Sequence, residues 1–166
     1  MFQVWACKQV TDLAGTNLNK QIRHGDDHDP YCPSCGICLE SCAHVLHCSE
    51  VGRVDALHKS IMLISKWMAH IRTDATLGRL IIQYDRGRGE LSMVELAGGL
   101  DEPYLRFARS QDKIGWRPFM EGMVLKEVLP IQREYATLEL RGQEARSWIK
   151  GLILKLLEAT YRQWLY

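Results

Sequence analysis

Hydrophobic residues recur three and four positions apart over much of the chain, which is the spacing of one face of an α-helix. The clearest stretch has its apolar positions at Val54, Leu57, Ile61, Ile64, Met68 and Ile71. A second stretch, from Glu144 to Tyr166, carries Trp148, Ile149, Leu152, Ile153, Leu156, Leu157, Tyr161 and Trp164 on one side. We expect one buried helical cluster that contains Ile61, Ile64, Trp116, Leu152 and Leu156.

Shorter helical patterns occupy most of the remaining sequence. They lie within residues 1–14, 77–84, 91–96, 101–108 and 116–128. Asp74 is a plausible N-terminal cap for the second of these helices, and Gly87 and Gly89 are expected to end it. Thr16 to Tyr31 is rich in Asn, Asp, His and Gly, which predicts a loop. The pattern as a whole predicts an all-α fold.

Candidate chemistry is concentrated directly after that loop. Cys32, Cys35, His44 and Cys48 have the spacing C-x2-C-x8-H-x3-C. A two-residue gap allows one tight turn to bring both sulfurs to one ion, and residues four apart point the same way from a helix. Three thiolates and an imidazole are typical ligands of tetrahedral zinc. The sequence therefore predicts a CCHC zinc knuckle at residues 32–50, between an N-terminal helix and loop at 1–31 and a helical domain at 51–166.

An iron–sulfur cluster is the alternative for the same segment. Cys32, Cys35, Cys38 and Cys42 have the spacing C-x2-C-x2-C-x3-C of bacterial ferredoxins. In two-cluster ferredoxins the fourth cysteine of that run ligates the other cluster, so a single cluster here would need a remote ligand, Cys48 or Cys7. The zinc hypothesis is preferred because it uses a complete local set and accounts for His44.

The residues around these ligands resemble a known zinc-binding segment. Cys32-Pro33-x-Cys35-Gly36, then Glu40, then His44-Val45-Leu46-x-Cys48 is similar to the segment that follows the reverse transcriptase in non-LTR retrotransposon polyproteins. Ser41, where threonine is usual, and the additional thiol of Cys42 depart from that pattern without removing a ligand. The similarity extends to Gln111-x-x-Ile114-Gly115-Trp116-x-x-Phe119-x-x-Gly122 and to the closing residues 162–166. The resemblance implies a retroelement-derived reading frame, with any polymerase outside this chain.

Charge gives weaker indications than the cysteines. The net charge is +1, so the whole chain does not have the strongly basic character of many nucleic-acid-binding proteins. Basic residues nevertheless outnumber acidic ones between Arg53 and Arg88. Candidate phosphate contacts are Arg53, Lys59, Lys66 and Arg72.

The sequence thus predicts a non-enzymatic zinc module, with RNA or DNA binding preferred as its function. A structural zinc with four protein ligands leaves no open position for a reacting water, and Glu40 is expected to act as a helix cap or a hydrogen-bond acceptor beside the site. The alternative is a helical subunit that docks into a larger protein complex through amphipathic helices. A third hypothesis is electron transfer by an iron–sulfur cluster.

The absence of a long apolar run and of a signal peptide favours a soluble intracellular protein. Because the last apolar pattern reaches Tyr166 without a terminating residue, we also expect a truncated reading frame or an excised domain.

Overall fold

The computed structural model describes residues 2–25, 27–138 and 144–166. The described chain is mostly helical and contains no strand, in agreement with the predicted all-α class, although one isolated bridge pairs Tyr31 with Leu39. Its helices, numbered in chain order, are α1 Phe2–Val10, α2 Asn17–His24, α3 Cys42–His47, α4 Val51–His70, α5 Ala75–Gly87, α6 Met93–Leu96, α7 Glu102–Asp112, α8 Trp116–Met120, α9 Val128–Leu138 and α10 Ala145–Leu165.

Helix α10 occupies the centre of the fold. It packs against α1, α3, α4, α8 and α9, and its longest partner is α4. The two long helices run antiparallel, since Arg53 near the start of α4 reaches the Gln163 carbonyl near the end of α10. Near the other end of the pair, Gly151 leaves room for the Trp67 indole, which a β-carbon at position 151 would meet at 2.4 Å.

The expected core is confirmed by this packing. Ile61, Ile64, Trp116, Leu152 and Leu156 all lie in one buried cluster, which α5, α6, α7 and α9 complete. A smaller cluster joins α1 to the end of α10, where Trp5 packs with Tyr161 and Trp164. The apolar periodicity therefore identified the buried faces of both long helices.

The expected loop from Thr16 to Tyr31 is wrong over its first half, where α2 forms. Polar groups outside the helix satisfy the free amides of its first turn. Thr16 Oγ1 accepts from the Asn19 amide at 3.4 Å, and Glu40 Oε2 accepts from the Asn17 amide at 2.7 Å. Capping from Glu40, distant in sequence, explains why a segment with almost no apolar pattern is helical.

Residues 111–122 run from the end of α7 through α8 to the turn that follows it. Gln111 is fully buried. Its Nε2 donates to the Met123 carbonyl and its Oε1 accepts from the Leu125 amide, each at 3.1 Å. Gly115 and Gly122 have φ values of +84° and +86°, a region that glycine adopts without steric penalty. These residues shape the core, and Trp116 has the buried position expected of it.

One carboxyl group is buried without compensation. Asp85 on α5 is fully buried, and neither of its carboxylate oxygens has a hydrogen-bond partner among the described residues. Burial alone raises the pKa of Asp85 well above its usual value, because the charged form loses its hydration.

We expect Asp85→Asn to change how stability depends on pH. The unfolded carboxyl loses its proton near pH 4, whereas the folded one retains it to much higher pH. Stability contributed by the protonated group is therefore complete below about pH 4 and falls as pH rises, by at most about 1.4 kcal/mol per pH unit. In urea unfolding at pH 4 to 7, the free energy of unfolding of Asp85→Asn should increase relative to that of the wild type as pH rises. A constant difference would contradict the burial argument.

Candidate metal centre

A short hairpin brings the first two predicted ligands together. Its backbone is held by the Cys32 amide donating to the Cys38 carbonyl and by the Glu40 amide donating to the Pro30 carbonyl, both at 2.8 Å. The Gly36 amide closes the tight turn on the Cys32 carbonyl, also at 2.8 Å, and Gly36 has a φ of +66°. Because the turn reverses within four residues, the thiols of Cys32 and Cys35 face the same point.

Helix α3 supplies the other two ligands. Ser41 caps this helix and accepts from the His44 amide at 3.0 Å, so α3 begins at Cys42. Cys48 follows the last turn, and its amide donates to the His44 carbonyl at 2.7 Å. One helical turn therefore sets the imidazole and the fourth sulfur side by side, as their spacing predicted.

The four ligand atoms form one compact group. All lie within 4.8 Å of one another, with Cys32 Sγ 3.9 Å from Cys48 Sγ and Cys35 Sγ 3.4 Å from His44 Nε2. Around tetrahedral zinc, the usual bond lengths place two sulfurs about 3.8 Å apart and a sulfur about 3.6 Å from a nitrogen. These two separations fit a metal ion at the centre, so Cys32, Cys35, His44 and Cys48 are positioned to hold one.

The thiols have opposite acid–base tendencies. Hydrogen bonds from the backbone amides of Cys38 and Ile37 lower the pKa of Cys35 to about 6, which favours the thiolate that binds metals. Burial raises the pKa of Cys48 to about 11, and the nearby Cys32 adds to that rise. A divalent cation would reverse the second effect, because its charge compensates sulfurs that otherwise repel one another.

The cysteines of the iron–sulfur alternative are not gathered in this way. Among the described residues, the group that could hold a metal contains neither Cys38 nor Cys42. Cys38 is exposed, and Cys42 is buried in the separate cluster with Trp5 and Ala14. Cys7, the suggested remote ligand, is exposed on α1. The placement of the side chains therefore agrees with the ligands of the zinc hypothesis.

Arg53 corrects one of the predicted phosphate contacts. Its side chain is only 2% exposed and lies between the hairpin and the two long helices. The guanidinium donates to Ser34 Oγ at 2.7 Å, the Gln163 carbonyl at 2.7 Å and Glu40 Oε1 at 3.3 Å. Because these bonds are internal and the group is buried, Arg53 cannot contact a phosphate and instead joins the hairpin to the helical body.

Arg88 makes a second connection, from α5 to the end of α3. It ends α5 in a left-handed conformation with φ of +51°. Its Nη2 donates to the Leu46 carbonyl at 2.5 Å and to the Cys48 carbonyl at 3.0 Å. The guanidinium therefore satisfies carbonyls at the end of α3 and lies near the Cys48 sulfur, where positive charge stabilises both a helix C-terminus and a thiolate.

The other predicted phosphate contacts are exposed. Lys59 and Lys66 project from α4, and Arg72 follows that helix. Lys59 pairs with Asp55, one helical turn away, at 2.6 Å. All three side chains are therefore accessible to solvent.

Comparisons of the chain with family models, characterised proteins and solved structures found no match. The similarity to the retrotransposon segment thus rests on its motif residues alone. Among residues 2–25, 27–138 and 144–166, no helix combines the length and apolar character needed to cross a membrane.

Sequence reasoning identified the four residues that the structure brings together and the accepting role of Glu40, but it missed the roles of the two arginines. The hydrogen bonds of Arg53 join residues 19, 110 and 13 positions apart in sequence, so no local pattern predicts them. Arg88 had one signal, its place between Gly87 and Gly89 at a helix end, which is typical of a left-handed turn.

Proposed function

We propose that Cys32, Cys35, His44 and Cys48 bind one zinc ion whose role is structural. The observation that carries this proposal is the spacing of the four donor atoms, all within 4.8 Å of one another. Three cysteines and one histidine form a common structural zinc set, and a group with four protein ligands is closed to a reacting water.

The ion would stabilise the attachment of the N-terminal third to the helical body. Glu40, at the end of the hairpin, accepts from the first amide of α2 and pairs with Arg53 of α4. Ser34, between the first two ligands, accepts from the same arginine. Fixing the hairpin around zinc would therefore also fix the contacts that hold α2 and α4 against it.

The same contacts favour a non-catalytic role. Glu40 is the one acidic residue between the first and last of the four proposed ligands in sequence. Its two oxygens are engaged with the Asn17 amide and with Arg53. A carboxylate held in this way is a poor general base, because it would have to break an ion pair to accept a proton.

The metal proposal predicts different outcomes for two neighbouring cysteines. Cys35→Ser should reduce bound zinc from one ion per chain to near zero, because it removes a ligand. Cys38→Ser, three residues later, should retain one zinc. Elemental analysis of the purified proteins measures both. Iron in the wild type, or zinc loss in Cys38→Ser together with zinc retention in His44→Ala, would refute the assignment.

For the biological role we propose a helical module that docks onto a partner protein, the second of the sequence-based hypotheses. Two observations favour this docking function over nucleic-acid binding. Arg53 is buried, and the exposed face of α4 carries the apolar side chains Met62 and Leu63 between Lys59 and Lys66. Apolar side chains among the charges suit a protein surface better than a phosphate backbone.

Salt dependence separates the two functions. Three phosphate contacts from Lys59, Lys66 and Arg72 would give a log-affinity slope of about −2.7 against log salt on duplex DNA. We expect no measurable binding to duplex DNA or single-stranded RNA at about 0.15 M salt in fluorescence anisotropy. Binding with that slope, lost in the Lys59→Glu and Lys66→Glu variants, would establish the nucleic-acid function in place of docking.

A retroelement origin is a further proposal, supported by the motif around the four ligands. It concerns ancestry and is independent of the present binding function. A reverse transcriptase reading frame directly upstream of the coding sequence in the genome would support it.

A further inference from the structure

A groove of about 260 Å³ runs between α4 and α10 on the outer side of this helix pair. We refer to it as the α4–α10 groove. Its lining comes from both helices, with residues at helical spacing on each: Ser60, Leu63, Ile64, Trp67, Lys155, Glu158, Ala159 and Arg162. It is separate from the metal ligands, none of which lines it.

The groove has an apolar floor and an exposed apolar wall. Ile64 and Ala159 are buried at its base, whereas Leu63 is 45% exposed along its edge. Leu154 on α10 and Met62 on α4 are also about half exposed, although neither lines the groove. Several large apolar side chains on one pair of helices are more typical of an interaction site than of bare solvent-facing surface.

The rim of the groove is predominantly basic. Lys59 and Lys66 flank Leu63 on α4, and Lys155 and Arg162 line the α10 side. Asp55 and Glu158 neutralise Lys59 and Lys155 at 2.6 and 2.7 Å. Within the described chain, Lys66 and Arg162 make no ion pair, so each side of the groove keeps one uncompensated cation.

We propose that the α4–α10 groove binds an acidic amphipathic helix of a partner protein. This inference rests on the proposed docking function and specifies its partner. Apolar side chains of such a helix, three and four residues apart, would cover Leu63, Trp67 and the groove floor. Its carboxylates would lie opposite Lys66 and Arg162, and this charge complementarity selects an acidic partner over a basic one.

The shape of the groove depends on the approach of the two helices. Gly151 lets the Trp67 indole lie against α10, so the ring forms one end of the groove instead of standing out from it. The groove thus belongs to the folded pair and not to either helix alone, and it should be tested in the full chain with its metal bound.

The probe is a panel of synthetic peptides about 20 residues long, with Leu or Phe at helical spacing and Glu elsewhere. Matched peptides carry Lys in place of Glu. Titration calorimetry with the zinc-loaded full chain should detect the acidic peptides and not the basic ones. Leu63→Glu and Arg162→Glu should each weaken acidic-peptide binding at least about tenfold, since they bring like charge to the groove.

Matched control variants lie outside the groove. Leu91→Glu alters an equally exposed leucine, at 49%, and Arg86→Glu reverses an exposed arginine on α5. Both should bind the acidic peptides as the wild type does. All four substitutions are at exposed positions, and circular dichroism of each variant confirms that it is folded.

The outcomes distinguish the inference from the function on which it rests. Equal binding of the acidic peptides by the groove variants and the control variants would refute the groove as their binding site. It would leave the proposed docking function in place. Failure of every acidic peptide to bind below about 100 µM would also overturn the groove. Steeply salt-dependent binding of RNA or DNA without peptide binding would overturn both the groove and the docking function.

Discussion

Removing the proposed zinc ion should cause one of the two largest losses of stability in this protein. At free zinc about a thousandfold above its dissociation constant, binding to the folded state alone contributes about 4 kcal/mol. In a chain of this length that corresponds to a fall in melting temperature of about 8–16 °C. The loss should be greatest in α2, the hairpin and α3, because Glu40, Arg53 and Arg88 depend on the hairpin and α3 being in place.

Thermal unfolding with and without EDTA measures this effect, and hydrogen exchange shows where protection is lost. Re-addition of zinc should restore the original melting temperature. The Cys35→Ser variant is the control, because its melting temperature should be low and should not change when EDTA is added. Identical melting of the wild type with and without EDTA would mean that the four side chains meet for another reason.

Leu152→Ala should produce the second large effect. Leu152 is fully buried where α10 meets the helices around it, so truncation removes apolar contacts and leaves a cavity. Substitutions of this kind cost about 2–5 kcal/mol. Leu154→Ala makes the same chemical change two residues later on the same helix, at a side chain that is 46% exposed. It should cost less than about 0.5 kcal/mol.

Urea unfolding of the two variants, with zinc present throughout, gives the comparison. A loss for Leu152→Ala no larger than that for Leu154→Ala would show that α10 does not form the centre of the core. The pair is informative because helix propensity and residue type are identical at both positions.

Local sequence patterns were sufficient to predict the elements that depend on residues close together in the chain. The periods of α4 and α10 predicted both helices and their buried faces, since one buried face imposes its spacing on the residues of that helix. The ligand spacing likewise predicted the metal group, because a tight turn and one helical turn are short-range geometries. Asp74 caps α5 as expected, accepting from the Leu77 amide at 2.7 Å.

Long-range causes could not be inferred in this way. Helix α2 depends on a cap from Glu40, 23 positions beyond Asn17, and its own residues resemble a loop. Arg53 looked like a member of a basic stretch, but its partners are brought together only by the fold. Charge alone does not tell a surface cation from a buried one, because that distinction depends on which acceptors the tertiary structure supplies.

The position of α10 in the chain bears on how the protein is made. This helix packs against α1, α3, α4, α8 and α9, all of which are synthesised before it. During translation, the apolar faces of those helices leave the ribosome without the element that covers them. Folding of the core must then wait for residues 145–165, and contacts between distant segments also slow it. Nascent chains arrested before residue 145 should therefore be more sensitive to protease than chains arrested after α10 has emerged.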